Sequence, residues 1–290
     1  MQHLENEFLK VSASASGAEL RRVFDKQHSL ERLWEGDTAV WNRHAPILFP
    51  IVGRLLNNQY TYAGKNYELP QHGFARDHVF DVKRETDATL SYTLSDSEAT
   101  REVYPFAFHL QVDYTLVRNQ IRVDYTVTNP GRETMHFSIG GHPGFACPLL
   151  EDERFSDYYI EFEKQETCAR WYANENGHIH RAEEDYLLDT NIIPYTIDRF
   201  KEDALIFKDL QSKTVAIKSF KNSHAVTMDF AGWPYLGIWS KPGGAPFICL
   251  EPWYGIADHV GHDGELTRKE GIMALEPGLN FCCSYGLTFT

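Results

Sequence analysis

The stretch Phe106-Ala107-Phe108-His109-Leu110-Gln111-Val112-Asp113-Tyr114-Thr115-Leu116-Val117-Arg118-Asn119-Gln120-Ile121-Arg122-Val123-Asp124-Tyr125-Thr126-Val127 alternates apolar and polar residues almost without a break. Successive side chains of a β-strand point to opposite faces. Phe106, Phe108, Leu110, Val112, Tyr114 and Leu116 therefore share one face, and Ile121, Val123, Tyr125 and Val127 share one face of the next strand. With Arg118-Asn119-Gln120 as the turn, the pattern predicts a long antiparallel hairpin with one buried side.

Similar short runs recur on either side of it. Glu19 to Phe24, His78 to Lys83, Thr89 to Leu94, Tyr158 to Phe162, Thr214 to Lys218, Ala225 to Phe230, Tyr235 to Ser240, Phe247 to Leu250, Gly271 to Leu275 and Phe281 to Phe289 all read as strands. No long stretch has the helical period, so helix is expected only as a turn or two near Asn42 and in Thr196 to Asp203. The span from Glu175 to Phe200 reads as a long loop. No Pro-, Gly- or Ser-rich linker divides the chain and no repeat is visible. The expectation is one all-β domain over residues 1–290, built of antiparallel strands in two packed sheets.

Composition narrows the function. Aromatics make up 13% of the 290 residues and the net charge is −13, and no basic run offers a surface to nucleic acid or to an anionic membrane. Residues Met1 to Lys10 hold no apolar signal core. The nearly apolar run Ala45 to Val52 is broken by Pro46 and Pro50 and is too short to span a bilayer. Five cysteines without a CxxC pair suit free thiols in a reducing compartment. A cytoplasmic protein with a small-molecule ligand is expected, as a monomer or a homodimer.

The chemistry concentrates in four stretches. In Ser138-Ile139-Gly140-Gly141-His142-Pro143-Gly144-Phe145, glycines allow close backbone approach and positive φ while proline stiffens the turn, so the imidazole is aimed. Imidazole exchanges protons near neutral pH. Phe247-Ile248-Cys249-Leu250-Glu251-Pro252-Trp253 places a carboxylate at the end of an apolar strand. Arg54, after Gly53, and the compact Gln71-His72-Gly73-Phe74-Ala75-Arg76 add hydrogen-bond donors suited to hydroxyls, carboxylate or phosphate. Asp203, opening the run Ala204-Leu205-Ile206-Phe207, is a hydroxyl acceptor. Trp239 and Trp253 are flat surfaces for the apolar face of a sugar ring. Each also has an ordinary reading, as a turn histidine, strand cap, surface ion pair or core aromatic. His142, His72 and Glu251 are types that zinc accepts, but they lack the short spacings of a zinc motif, and His259-Val260-Gly261-His262 reads as a solvated loop.

Taken in order, the stretches Ala45 to Leu55, Gln71 to Arg76, Gly141 to Phe145, Asp203 to Phe207, Pro234 to Trp239, Glu251-Pro252-Trp253 and Leu275-Glu276-Pro277-Gly278 resemble the aldose 1-epimerase (galactose mutarotase) family, and more closely its shorter LacX-like branch. The resemblance covers almost the whole chain. It implies a galactose mutarotase-like β-supersandwich with little helix and a sugar in an open groove. His142 would be the general acid and Glu251 the general base. His72 would lie near the ring oxygen, Arg54 and Asp203 would hold hydroxyls, and no metal or organic cofactor would be needed.

Anomer exchange needs one proton taken from the C1 hydroxyl and one given to the ring oxygen. That requires an ionised Glu251 and a protonated His142, a state that a nearby carboxylate favours, with Asp203 as the candidate. The segment Gln71 to Arg76 resembles that of the hexose-6-phosphate branch, so Arg54 and Arg76 leave a phosphorylated hexose open as substrate. A non-catalytic carbohydrate-binding or sensing protein would keep the same binding residues. A glycoside hydrolase would need a second carboxylate roughly 5 to 9.5 Å from Glu251.

Overall fold

The alternating stretch forms its hairpin in the computed structural model, which describes residues 1–290. Strands His109–Val117 and Gln120–Thr128 pair antiparallel, from His109 opposite Thr128 to Val117 opposite Gln120. Arg118, at φ +55°, turns the chain between them. The buried face is the apolar one: Leu110, Val112, Ile121, Val123 and Val127 are all 0% exposed. The first strand starts at His109, not Phe106. Asp96 Oδ1 accepts the Phe108 amide at 3.0 Å, so Phe106 and Phe108 enter the core ahead of the ladder.

This hairpin is part of a 15-stranded sheet whose pairings are antiparallel throughout. The sheet runs from Ile47–Leu48 through Ile139–Gly141, Phe247–Tyr254, Tyr235–Trp239, Leu205–Lys208 and Tyr158–Ala173 to Asn280–Phe289 and the hairpin. Neighbouring strands twist by about 20–25°, so a sheet this wide curls and packs on itself. One cluster of 61 buried residues joins its arms, with Leu110 and Tyr114 from the hairpin beside Ile160, Phe162, Val215, Leu236 and Leu250. A separate four-stranded sheet is made by Gln2–Glu5, Leu9–Ala13, Leu20–Asp25 and Leu30–Glu31. The architecture is the all-β supersandwich that the resemblance implies. No helix is long and apolar enough to cross a membrane.

Three expectations need correction. The span Glu175 to Phe200 is not a loop. It contains the 16-residue strand Ile179–Pro194, which pairs with Tyr158–Ala173 through several register shifts. Only Ile179, Leu187 and Ile193 of that strand are buried, so it carries no alternation to read. Neither Asn42 nor Thr196 to Asp203 is helical; both are turns. The α-helix is Glu98–Val103, started by a reciprocal cap in which Ser97 Oγ accepts the Thr100 amide and Thr100 Oγ1 accepts the Ser97 amide. Finally, Glu251 lies inside the strand Phe247–Tyr254, because Pro252 and Trp253 continue the pairing with Tyr235–Trp239.

The hairpin face gives a direct test. Leu110→Ala should cost about 2–5 kcal/mol of stability, read by urea denaturation. Val117→Ala, at a 50% exposed position, should stay within about 0.5 kcal/mol. Equal losses at both positions would contradict the assigned faces.

Candidate active site

Strand register brings the histidine to the carboxylate. Ile139–Gly141 and Gly144–Ala146 both pair with Phe247–Tyr254, with Gly140 opposite Trp253 and Gly144 opposite Cys249. His142, in the turn between them, therefore falls beside Glu251, and its Nε2 lies 3.1 Å from Glu251 Oε2. The side chains are 10% and 2% exposed. The glycines of this turn are needed for space, not for positive φ. A Cβ on Gly140, Gly141 or Gly144 would meet Trp253, Tyr285 or Trp41 at 2.8, 2.8 and 2.9 Å.

His72 reaches the same place through a strained turn. His72 and Gly73 have φ of +65° and +70°, and a Cβ on Gly73 would lie 2.3 Å from the Phe49 carbonyl oxygen, so only glycine fits there. The Gly53 amide donates to His72 Nδ1 at 3.1 Å. That bond makes Nδ1 an acceptor, and the other ring nitrogen, Nε2, lies 3.3 Å from Gln71 Nε2. The His72 and His142 rings stand nearly perpendicular, with centroids 5.7 Å apart.

Around these three side chains is a cavity of about 230 Å³ that Arg76, Asp203, Trp239 and Trp253 also line. Trp41 packs over the His142 ring at 5.1 Å and Trp239 meets its edge at 5.7 Å. The Trp253 indole N–H is buried without a partner, a donor left for a ligand oxygen. Arg54 does not line this cavity. It faces the adjoining groove, where its Nη2 donates to Gln71 Oε1 at 3.0 Å and its Nη1 to the Asn176 carbonyl at 3.3 Å. Sequence reading missed Trp41 and Gln71 as site residues. Gln71 sits inside a quoted motif, directly before His72, and Trp41 lies just ahead of the proline-interrupted segment that begins at Ala45.

Burial sets the electrostatics. It pushes His142 down to about 3, and the charges of Arg76 and Arg43 push the same way. Burial, with Arg76 next, also holds His72 well below the usual imidazole range. Glu251 is raised well above the usual carboxyl range by burial and then by the negative charge of Asp203. Asp203 is itself raised by burial, partly offset by the Ala204 amide and by Arg170. The expectation that Asp203 supports a protonated His142 is therefore corrected, because its charge acts on Glu251. The favoured pair is neutral, with the proton on Glu251 and none on His142 Nε2.

A proton-rich carboxyl 3.1 Å from a proton-poor imidazole is an acid and a base in one contact. His142, Cys249 and Glu251 could also each offer a metal one ligand atom, all within 4.8 Å of one another. His72, which the sequence had placed with His142 and Glu251, is not in that group.

The sequence matches the aldose 1-epimerase family over residues 1–274. The chain belongs to the aldose 1-epimerase family. It is 32% identical to the chromosomal protein LacX of Lactococcus lactis subsp. lactis, with 98% of both chains covered. Its fold is similar to that of a galactose mutarotase related enzyme from Lactobacillus acidophilus, at a TM-score of 0.95 and 38% identity, covering 100% of this chain and 97% of the other. A galactose mutarotase-like protein from Lactobacillus casei ATCC 334 gives a TM-score of 0.94 at 33% identity, with both chains covered in full. Membership in the aldose 1-epimerase family supports an isomerase that acts on a sugar.

The protonation state is open to direct measurement. Nitrogen-15 NMR of the ring-labelled protein, with His142→Asn to assign the signal, should show His142 neutral at pH 5, where an ordinary histidine of pKa about 6.5 is protonated. A His142 midpoint near that ordinary value would overturn the neutral pair.

Proposed function

We propose that this member of the family is a hexose mutarotase, with His142 as general acid to the ring oxygen and Glu251 as general base on the C1 hydroxyl. The observation that carries the reading is the 3.1 Å contact between His142 Nε2 and Glu251 Oε2. The two oxygens that exchange protons in ring opening are bonded to the same carbon, so the acid and base must converge on one point. Two catalytic groups already in contact suit that demand.

Proton count also fits. The neutral pair and the ion pair hold the same number of protons, so a bound sugar has to draw one proton from Glu251 to Nε2 across the 3.1 Å contact, against the direction that burial favours. Glu251 then takes the C1 hydroxyl proton while His142 protonates the ring oxygen. The ring opens to the aldehyde, C1 turns its other face, and closure reverses both transfers. None of these steps calls for a metal or an organic cofactor. His72, Arg76 and Asp203 hold ring and hydroxyl oxygens, Trp239 and Trp253 bound the ring's apolar faces, and Arg54 supports the rim through Gln71. We further infer one domain over residues 1–290, acting in the cytoplasm as a monomer or homodimer.

Two neighbouring readings weigh less. Asp203 puts a second carboxylate in the cavity, as a hydrolase would need, but the group in contact with Glu251 is an imidazole. For a hexose 6-phosphate, both arginines are already engaged with neutral oxygens: Arg76 donates to the Gln71 carbonyl at 2.6 Å and Arg54 to the Gln71 side chain.

Exchange NMR of the anomeric protons of glucose and galactose tests the proposal. The wild type should accelerate exchange, and Glu251→Gln and His142→Asn should each lose about 10²–10⁴ in rate. Sugar binding with no acceleration by the wild type would replace the mutarotase with a sugar-binding protein.

A further inference from the structure

Residues 34–44 form a loop whose two ends meet. The Trp34 amide donates to the Gly144 carbonyl at 2.9 Å, and the Gly144 amide donates to the His44 carbonyl at 2.8 Å. Both ends are therefore tied to one residue, two positions after His142. Within the loop, Trp34 Nε1 donates to the Trp41 carbonyl at 2.9 Å and His44 Nδ1 donates to the Trp34 carbonyl at 2.8 Å. These bonds hold the Trp41 ring over His142, with centroids 5.1 Å apart.

The neck of the loop rests on a carboxylate from the four-stranded sheet. Glu19 stands just ahead of the strand Leu20–Asp25 and is 2% exposed. Its Oε1 accepts the His44 and Ala45 amides at 2.7 and 3.0 Å, and its Oε2 pairs with Arg21 Nη2 at 2.8 Å. A carboxylate is buried at tolerable cost only where such donors replace water. The segment it grips continues as Ile47–Leu48, which pairs with Gly141 and Gly140 ahead of His142. The chain from His44 to Leu48 thus brackets the His142 turn on both sides, and Glu19 fixes where that chain begins. Neither Glu19 nor His44 lines the cavity.

Building on the mutarotase reading, we propose that Glu19 is a positioning residue for the reaction: by holding the neck of the Trp41 loop, it sets the place of Trp41 and of His142 against Glu251. It acts through the backbone of His44 and Ala45 and touches no reacting group. The N-terminal sheet, remote in sequence from the acid/base pair, is in this way part of what aims it.

Two readings test this in Glu19→Ala, Glu19→Asp and Glu19→Gln: the kinetics of glucose anomer exchange, and the nuclear Overhauser contact between the Trp41 and His142 rings. Glu19→Ala should lower kcat by about tenfold or more while KM changes by less than about threefold, because a small misplacement of a reacting group is costly in rate. The ring contact should weaken with it. Glu19→Asp keeps the charge but draws it back from the amides, and should lose rate in the same direction. Glu19→Gln still offers the amides an oxygen and should restore both readings toward the wild type. Leu110→Ala, which lowers stability in the hairpin core, should leave both unchanged while folded. A folded Glu19→Ala with wild-type kcat and ring contact would overturn the proposal, as would an equal loss of kcat in Leu110→Ala. If Glu19→Ala does not fold, Glu19→Asp decides by the same readings. If the wild type exchanges no sugar, the mutarotase reading fails by itself, and the ring contact alone decides: its loss in Glu19→Ala or Glu19→Asp supports the role of Glu19, and its retention refutes it.

Discussion

The contact between His142 and Glu251 holds a neutral pair only where water is kept out and the neighbouring charges are controlled. In water, an isolated imidazole and carboxyl at neutral pH would both be near their ordinary pKa values, and the carboxyl would be ionised. Here both side chains are nine-tenths or more buried and burial dominates each shift. The carboxyl holds its proton and the imidazole gives it up. The result is a neutral pair, and forming the ion pair that acts on two oxygens of one carbon means moving a proton to Nε2 against both shifts, which a bound sugar must compensate.

The sheet supplies the constraint that makes this contact. Glu251 is fixed on Phe247–Tyr254 by pairing with Tyr235–Trp239 on one side and with two short strands on the other. Those short strands hold the His142 turn in register against it. Indole rings close the remaining sides: Trp41 over His142, Trp239 at its edge, and Trp253 against Gly140 and Gly237. The same rings that exclude water form the apolar walls of the cavity, so desolvating the pair and shaping the pocket are one packing problem.

Where a strand buries one clean face, the sequence was legible. The hairpin His109–Val117 and Gln120–Thr128 was readable because its buried residues alternate without interruption. Ile179–Pro194 was not, since it buries three residues and shifts register repeatedly, leaving a polar string that resembles a loop. The helix Glu98–Val103 is six residues long, too short for a period to show, and only the Ser97 cap announces it. His142, Glu251, His72 and Arg76 were readable from Gly- and Pro-marked motifs and Asp203 from its place before an apolar run, and all five line one cavity. Arg54 was placed one step too deep. Its neighbour Gln71, unremarkable as a residue type, is what links groove and cavity. The proton distribution was read the wrong way round because charge partners are visible in a sequence and desolvation is not.

The shared-proton account is tested most directly by the pH dependence of kcat/KM for anomer exchange, which reports the free enzyme. His142 is depressed to about 3 and Glu251 is raised, so the pair carries its one mobile proton across the range between them. The profile should show a plateau between those two midpoints, falling at acid pH where the imidazole gains a second proton and falling again where the raised Glu251 ionises. An acid limb with its midpoint well above 3, in the range of an ordinary solvated carboxyl or imidazole, would show that the two groups titrate independently and would contradict the account.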